Sequence, residues 1–172
     1  MDPFSHYMIA FMIGRQLELG RDQLMALTFS ALILDIDVIY YLYPDHFLPV
    51  HGSITHTFSA MVFFWIICAA LFLVWKRRFL GGCAFIGMGS HIVLDMVNTL
   101  SPFDGGKQLL WPFDTTYYSL GDIVPYPYVA WVILAGAIFS FSLVMALMHF
   151  KEGDAPWRVW FDERRYLKKD VR

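Results

Sequence analysis

Residues 57–75 read TFSAMVFFWIICAALFLVW, 19 consecutive uncharged side chains that stop at Lys76-Arg77-Arg78. At a rise of about 1.5 Å per residue, such a run meets the length of about 20 residues that crosses a hydrocarbon core. Directly after the three cations, residues 79–97 read FLGGCAFIGMGSHIVLDMV. This segment is apolar again, but it carries Gly81, Gly82, Gly87 and Gly89, which permit close helix packing, and His91 and Asp95, which must turn toward protein. A third run, Ile123 to Met148, holds 26 uncharged residues, and Pro125 and Pro127 set the helix start near Tyr128 and its end around His149.

Toward the N-terminus, Pro3 to Gly14 is apolar, Arg15 to Arg21 is polar, and Gln23 to Tyr43 is apolar apart from Asp35 and Asp37. This pattern predicts a helical hairpin turning at Leu19-Gly20-Arg21. The N-terminal segment has neither the basic start nor the small-residue cleavage site of a signal peptide and is expected to be retained. Composition agrees with the runs: 58% of the 172 residues are hydrophobic and 16% charged, against about 45–50% and about 25% in an ordinary soluble domain. Open sheets cannot satisfy their edges in lipid, so the expected class is all-α, a polytopic membrane bundle of about five helices over residues 1–150. Residues 151–172 read as a basic, aromatic-containing cytoplasmic tail, either lying on the anionic membrane surface as an interfacial helix or solvated. Cys68 and Cys83 sit inside apolar stretches without ligand spacing and read as packing residues.

The cations orient the bundle. Arg15 and Arg21 fall at the first turn, Lys76, Arg77 and Arg78 between the next two spans, and seven more follow the last span. Twelve of the 13 therefore share one side with 7 acids, while the other side holds Lys107 and 8 acids. The excess of cations in the loops marks the cytoplasmic side, which predicts an N-terminus outside and a C-terminus inside. The net charge of -2 is a cancellation of two opposite surfaces.

Counting along the helices at about 1.5 Å per residue brings His6, Asp35, Asp37, His56, His91 and Asp95 to similar heights near the outer interface. His51 and Asp122 arrive from outer loops. His91 and Asp95, spaced i and i+4, share one helical face where imidazole and carboxylate can reach one ion. Asp35 and Asp37, spaced i and i+2, diverge on a regular helix, so a shared site requires the helix to end or unwind there, or each aspartate serves a different ion. In the segment His51-Gly52-Ser53-Ile54-Thr55-His56, two imidazoles flank a short turn, with Thr55 and Thr57 at hand as hydrogen-bond partners for the ring nitrogens. Intramembrane ionisable groups cost about 2.5–3.5 kcal/mol each, so their convergence points to divalent cations. The His and Asp mixture suits one or two ions of zinc, manganese or iron. The aromatics Trp111, Tyr117, Tyr118, Tyr126 and Tyr128 read as an interfacial belt on the outer side.

In order along the chain stand an early His, then Leu34-Asp35-Ile36-Asp37, His51-Gly52-x-x-Thr55-His56-Thr57, Gly89-Ser90-His91-x-x-x-Asp95 and Gly106-x-x-Leu109-Leu110-Trp111-Pro112. This order resembles the YdjM-like family of membrane-bound, metal-dependent hydrolases over about residues 6 to 113, with Leu34 where the family usually has Pro and Gly52 where Arg is frequent. The resemblance implies an inner-membrane helical hydrolase and metal ligation by His6, Asp35, Asp37, His51, His56, His91 and Asp95. The expected reaction is hydrolysis of a phosphoester of a lipid or lipid-linked molecule at the extracytoplasmic interface, with Asp37 or Asp122 as general base. Membrane lipids and a lipid-phosphate substrate are the expected partners, and no nucleic acid is. The alternative is a non-catalytic metal-binding or ion-transporting membrane protein.

Overall fold

The structure, a computed structural model, describes residues 3–37, 54–97, 106–119 and 128–152. His51, Asp122 and the basic tail from residue 153 lie outside the described residues. Five α-helices follow one another: α1 (Pro3–Gln16), α2 (Arg21–Ile33), α3 (Phe58–Val74), α4 (Phe79–Val97) and α5 (Tyr128–Leu147), the last running into a π-helical turn at Met148–Glu152. Among the described residues there is no strand, only one antiparallel bridge between Lys107 and Tyr118. The all-α class and the expected turn at Leu19-Gly20-Arg21 are both found.

Local chemistry explains where the helices start and stop. Thr57 caps α3, its Oγ1 accepting from the Ala60 amide at 3.0 Å, which fixes the chain direction one residue after His56. Both α1 and α3 end in a pair of nested C-terminal bonds. The Leu19 amide donates to Gly14 O at 3.0 Å and the Glu18 amide to Arg15 O at 3.1 Å; likewise Arg77 donates to Phe72 O at 2.7 Å and Lys76 to Leu73 O at 3.0 Å. In each motif the left-handed residue, commonly glycine, is charged: Glu18 at φ 54° and Lys76 at φ 58°. Arg77 Nη1 donates to Asp22 Oδ2 at 2.8 Å, so the two hairpin turns lie at the same end of the bundle.

The α4 helix, packed against α1, α2 and α3, forms the centre of the fold. Gly87 sets its distance from α2: a Cβ there would run into Leu27 O and Ser30 Oγ. On the α3 side, Gly81 faces Ala69 and its carbonyl accepts from Trp65 Nε1 at 3.0 Å. Gly82 and Gly89 meet no such neighbour, so of the four glycines two bring helices together. The α5 helix packs on α1 through Phe11 and Phe141, whose rings meet edge to face at 5.5 Å.

The distribution of polarity is inverted relative to a water-soluble globule. His6, Asp35, Asp37, His56, His91 and Asp95 are buried, whereas Phe63, Ile66, Leu73, Val74 and Phe139 are each more than half exposed. Buried charge and a broad exposed apolar surface are the informative departures from ordinary burial, and together they describe a surface made for lipid. Among the described residues one helix, α4 over Phe79–Met96, is apolar and long enough to cross a membrane, and α3 is a shorter apolar helix of 17 residues.

Candidate metal centre

At the end of the bundle away from the Arg77–Asp22 pair, four segments deliver side chains to one small volume. The helix α2 ends at Ile33 and residues 34–37 tighten into a 3-10 turn, although Leu34 rather than Pro begins it. As residues two apart on a helix must, the two aspartates point to different sides. Asp35 Oδ1 lies 3.4 Å from His56 Nε2 and 3.6 Å from His91 Nε2, while Asp37 Oδ2 lies on the far side of His56, 3.8 Å from Nδ1. His91 Nε2 stands 3.0 Å from His56 Nε2, and Asp95 Oδ2 stands 3.0 Å from His56 Nε2 and 3.4 Å from His91 Nε2. All three histidines are fully buried, and Asp35, the most open of the carboxylates, is 6% exposed.

Hydrogen bonding assigns the tautomers of both central rings. Ala31 lies in the last turn of α2, where carbonyls lose their helical partners, and Ala31 O meets His91 Nδ1 at 2.6 Å. A carbonyl only accepts, so His91 Nδ1 carries the proton and Nε2 presents its lone pair. Thr55 Oγ1 donates its single proton to Asp37 Oδ2 at 2.5 Å, so the 2.8 Å contact between Thr55 Oγ1 and His56 Nδ1 is a donation from the ring. His56 Nε2 is thereby also a lone pair. The close approach at Gly87, one turn before His91 on α4, is what brings the His91 ring within reach of Ala31 O.

Two imidazole lone pairs and two carboxylate oxygens therefore face one another. A shared proton serves one pair of these atoms; a divalent cation serves all four. Ligand atoms about 2.1 Å from one ion stand about 3.0–3.4 Å apart in octahedral or tetrahedral arrangement, and the five separations just given run from 3.0 to 3.6 Å. The donor set and its spacing fit a metal ion.

His6 adjoins this group. Its ring stacks on His91 with centroids 3.6 Å apart and planes 14° off parallel, and its Nε2 lies 3.2 Å from Asp95 Oδ1. Among the described residues, neither His6 nitrogen finds a hydrogen-bond partner, and neither does Asp35 Oδ2. His6, Asp35 and His91 form a second triad of ligand atoms beside the triad of His56, His91 and Asp95. Asp95 turns one oxygen to each histidine neighbourhood, the arrangement of a carboxylate that can bridge two ions. His56 thus stands with His91, Asp95 and Asp35.

The 106–119 segment brings a cation that the ligand pattern did not single out. Lys107, the lone Lys or Arg of the outer side by sequence, is 3% exposed, and its charge acts on His56. Its backbone is held by paired bonds with Tyr118, 2.9 Å in each direction. Gly106 before it sits at φ 114°, and a Cβ there would strike the Tyr118 carbonyl, so glycine is required twice over. Leu109 O accepts from the Phe58 amide at 2.9 Å and Trp111 O from Ser59 Oγ at 2.9 Å, which fastens the segment to the start of α3 beside His56. At the exposed tip, hydrogen bonds from the Thr116 hydroxyl and amide hold the Asp114 carboxyl below the usual carboxylate range, and the bond to Asp114 pushes the Tyr118 phenol up.

No curated protein and no solved structure gives a significant match to the chain. A family model described as YdjM inner membrane protein matches residues 1–161, so the buried His/Asp centre and the apolar exterior belong to a member of the YdjM inner membrane protein family.

Proposed function

We propose that the chain is a polytopic, metal-dependent hydrolase of the inner membrane, with its metal site at the extracytoplasmic end and a phosphoester of a lipid or lipid-linked molecule as substrate. The observation that carries this reading is the face-to-face lone pairs of His56 and His91, 3.0 Å apart between two aspartates. The orientation follows from the cations, because the turns carrying Arg15, Arg21 and Lys76 to Arg78 lie opposite the centre.

In this reading His56, His91, Asp35 and Asp95 hold one ion, and His6, with Asp95 and Asp35, borders a second. A bound divalent ion supplies a water-derived nucleophile at neutral pH and withdraws charge from the phosphoryl oxygens. The protein does the rest. Asp35 Oδ2, buried and without a hydrogen bond, is the oxygen available to take the proton of the attacking water. Asp37 holds Thr55, which holds the His56 ring, so it orients a ligand. Lys107 draws an anionic substrate to the centre and offsets the charge that develops on it. Zinc, manganese and iron all suit the donors.

Ion transport requires a polar path to the opposite end. Below the centre the described buried residues include Ala10, Leu24, Ala26, Leu27, Ala31 and Cys83, and the hydroxyls of Thr28 and Ser30 are spent on carbonyls of their own helix, Leu24 O at 2.8 Å and Leu27 O at 2.9 Å. That lining favours a closed site over a conduit. The test is metal analysis of the purified protein together with turnover of a panel of lipid phosphates in detergent. One or two equivalents of metal and a turnover that chelation removes and the same metal restores are expected. Bound metal with no ester turned over assigns the centre a structural role instead, and full turnover after complete chelation overturns the mechanism.

A further inference from the structure

Away from the metal centre, a crevice of about 520 Å³ opens between α2 and α3 with α4 as its floor. Met25, Phe29 and Ile33 line one wall, Cys68 and Phe72 the other, and Ala84 the floor. Its size falls within the range of about 300–1,000 Å³ usual for small-molecule sites. The polar group within it, Ser30 Oγ, already donates to Leu27 O, so the walls offer an occupant almost nothing but hydrocarbon.

The mouth is chemically different. Asp22, Trp75 and Arg77 stand there. The two turns that frame it, residues 15–22 and 76–78, carry five cations (Arg15, Arg21, Lys76, Arg77, Arg78) and two acids (Glu18, Asp22). Arg77 is paired with Asp22 at 2.8 Å, but their side chains are 63% and 44% exposed, so the pair is weak and open to exchange. Trp75, 64% exposed, has the position of an interfacial tryptophan at the end of an apolar helix.

We propose that this crevice binds an anionic phospholipid of the surrounding bilayer, one acyl chain lying between α2 and α3 and the phosphate drawn to Arg77, Lys76 and Arg78 in place of Asp22. Basic mouths between membrane helices recognise anionic headgroups by this combination of charge and apolar depth. The site stands at the opposite end from the His/Asp centre and does not depend on what that centre catalyses.

Native mass spectrometry of the full chain in detergent, titrated with phosphatidylglycerol and with phosphatidylcholine of the same chains, tests it. The wild type should retain one phosphatidylglycerol with a preference of about tenfold or more, given that each basic residue adds severalfold at an anionic surface. Replacing Lys76, Arg77 and Arg78 together by Ala should reduce the preference to less than about twofold. Cys68→Trp, which fills the wall, should lower retention of phosphatidylglycerol by about tenfold without removing the cations. Lys76→Gly relieves the backbone and so folds, and it should still lose part of the preference. Equal retention of the two lipids by the wild type, or an undiminished preference in Lys76→Gly and in the triple variant, overturns the proposal.

Discussion

The α2–α4 pair is one packed interface with two unlike ends. At one end, α2 tightens into a 3-10 turn after Ile33, its Ala31 carbonyl grips His91, and the space between the helices fills with imidazole and carboxylate. Toward the other end the two helices stay packed through Ala26, Leu27, Ala31 and Cys83, and beside them an apolar crevice between α2 and α3 ends at an exposed ion pair. Gly87 stands between these regions as the point of closest approach. The buried polar groups of the centre crowd against one another, whereas the exposed charges meet in one open pair. The contrast follows from cost, since an unsatisfied buried ionisable group is expensive and a surface pair is worth little.

The largest expected effect breaks the His/Asp end alone. Asp95→Asn removes charge from a carboxylate that faces His56, His91 and His6. Changing residues that merely support a ligand costs metal affinity about 10–100-fold, so loss of a shared ligand should exceed about a hundredfold. Metal analysis after dialysis should find the variant empty, while Arg77→Ala, at the far end, keeps its metal. Equal metal content in Asp95→Asn and wild type would remove the centre from the account.

How far the sequence foretold these ends differs in an instructive way. The helices were legible because uncharged runs closed by cations have few alternatives, and α4 spans the residues expected of it, Phe79–Val97. The convergence of His6, Asp35, His56, His91 and Asp95 was legible from helical rise and the i, i+4 spacing. Two features were not. The i, i+2 spacing shows that Asp35 and Asp37 part, but which of them faces the lone pairs and which faces Thr55 depends on where α2 gives way to the 3-10 turn. Lys107 was counted as a stray outer cation; its burial depends on a pairing with Tyr118, 11 residues along the chain, that no periodicity announces. The signal available was Gly106 before it, in a position where glycine is demanded by backbone rather than by helix packing.

A smaller effect should reach both ends at once. Gly87→Ala sets a methyl against the Leu27 carbonyl, a backbone atom that cannot rotate away, so α2 and α4 must separate. Overpacking of this kind costs about 1–3 kcal/mol. The variant should melt earlier in detergent and bind metal more weakly, because His91 and Ala31 O part together with the helices. Gly82→Ala and Gly89→Ala meet no neighbour and serve as controls that leave both properties unchanged. A Gly87→Ala protein as stable as wild type would mean that the two ends are not joined through this contact.

The smallest effect separates ligand from support. Thr55 touches no lone pair of the centre; it takes the His56 Nδ1 proton and hands its own to Asp37. Valine keeps the shape and removes both bonds, which frees His56 to put its proton on Nε2, the atom that faces His91 and Asp95. Support of this kind is worth about 10–100-fold in metal affinity. Thr55→Val should therefore weaken binding within that range without emptying the site, and Thr55→Ser, which restores the hydroxyl, should recover most of it. A competition titration against a chelator of known affinity reads the difference. If Val and Ser behave alike, the hydroxyl is not what fixes the ring, and the buried Asp37 would have to be explained as a ligand in its own right rather than as the anchor of one.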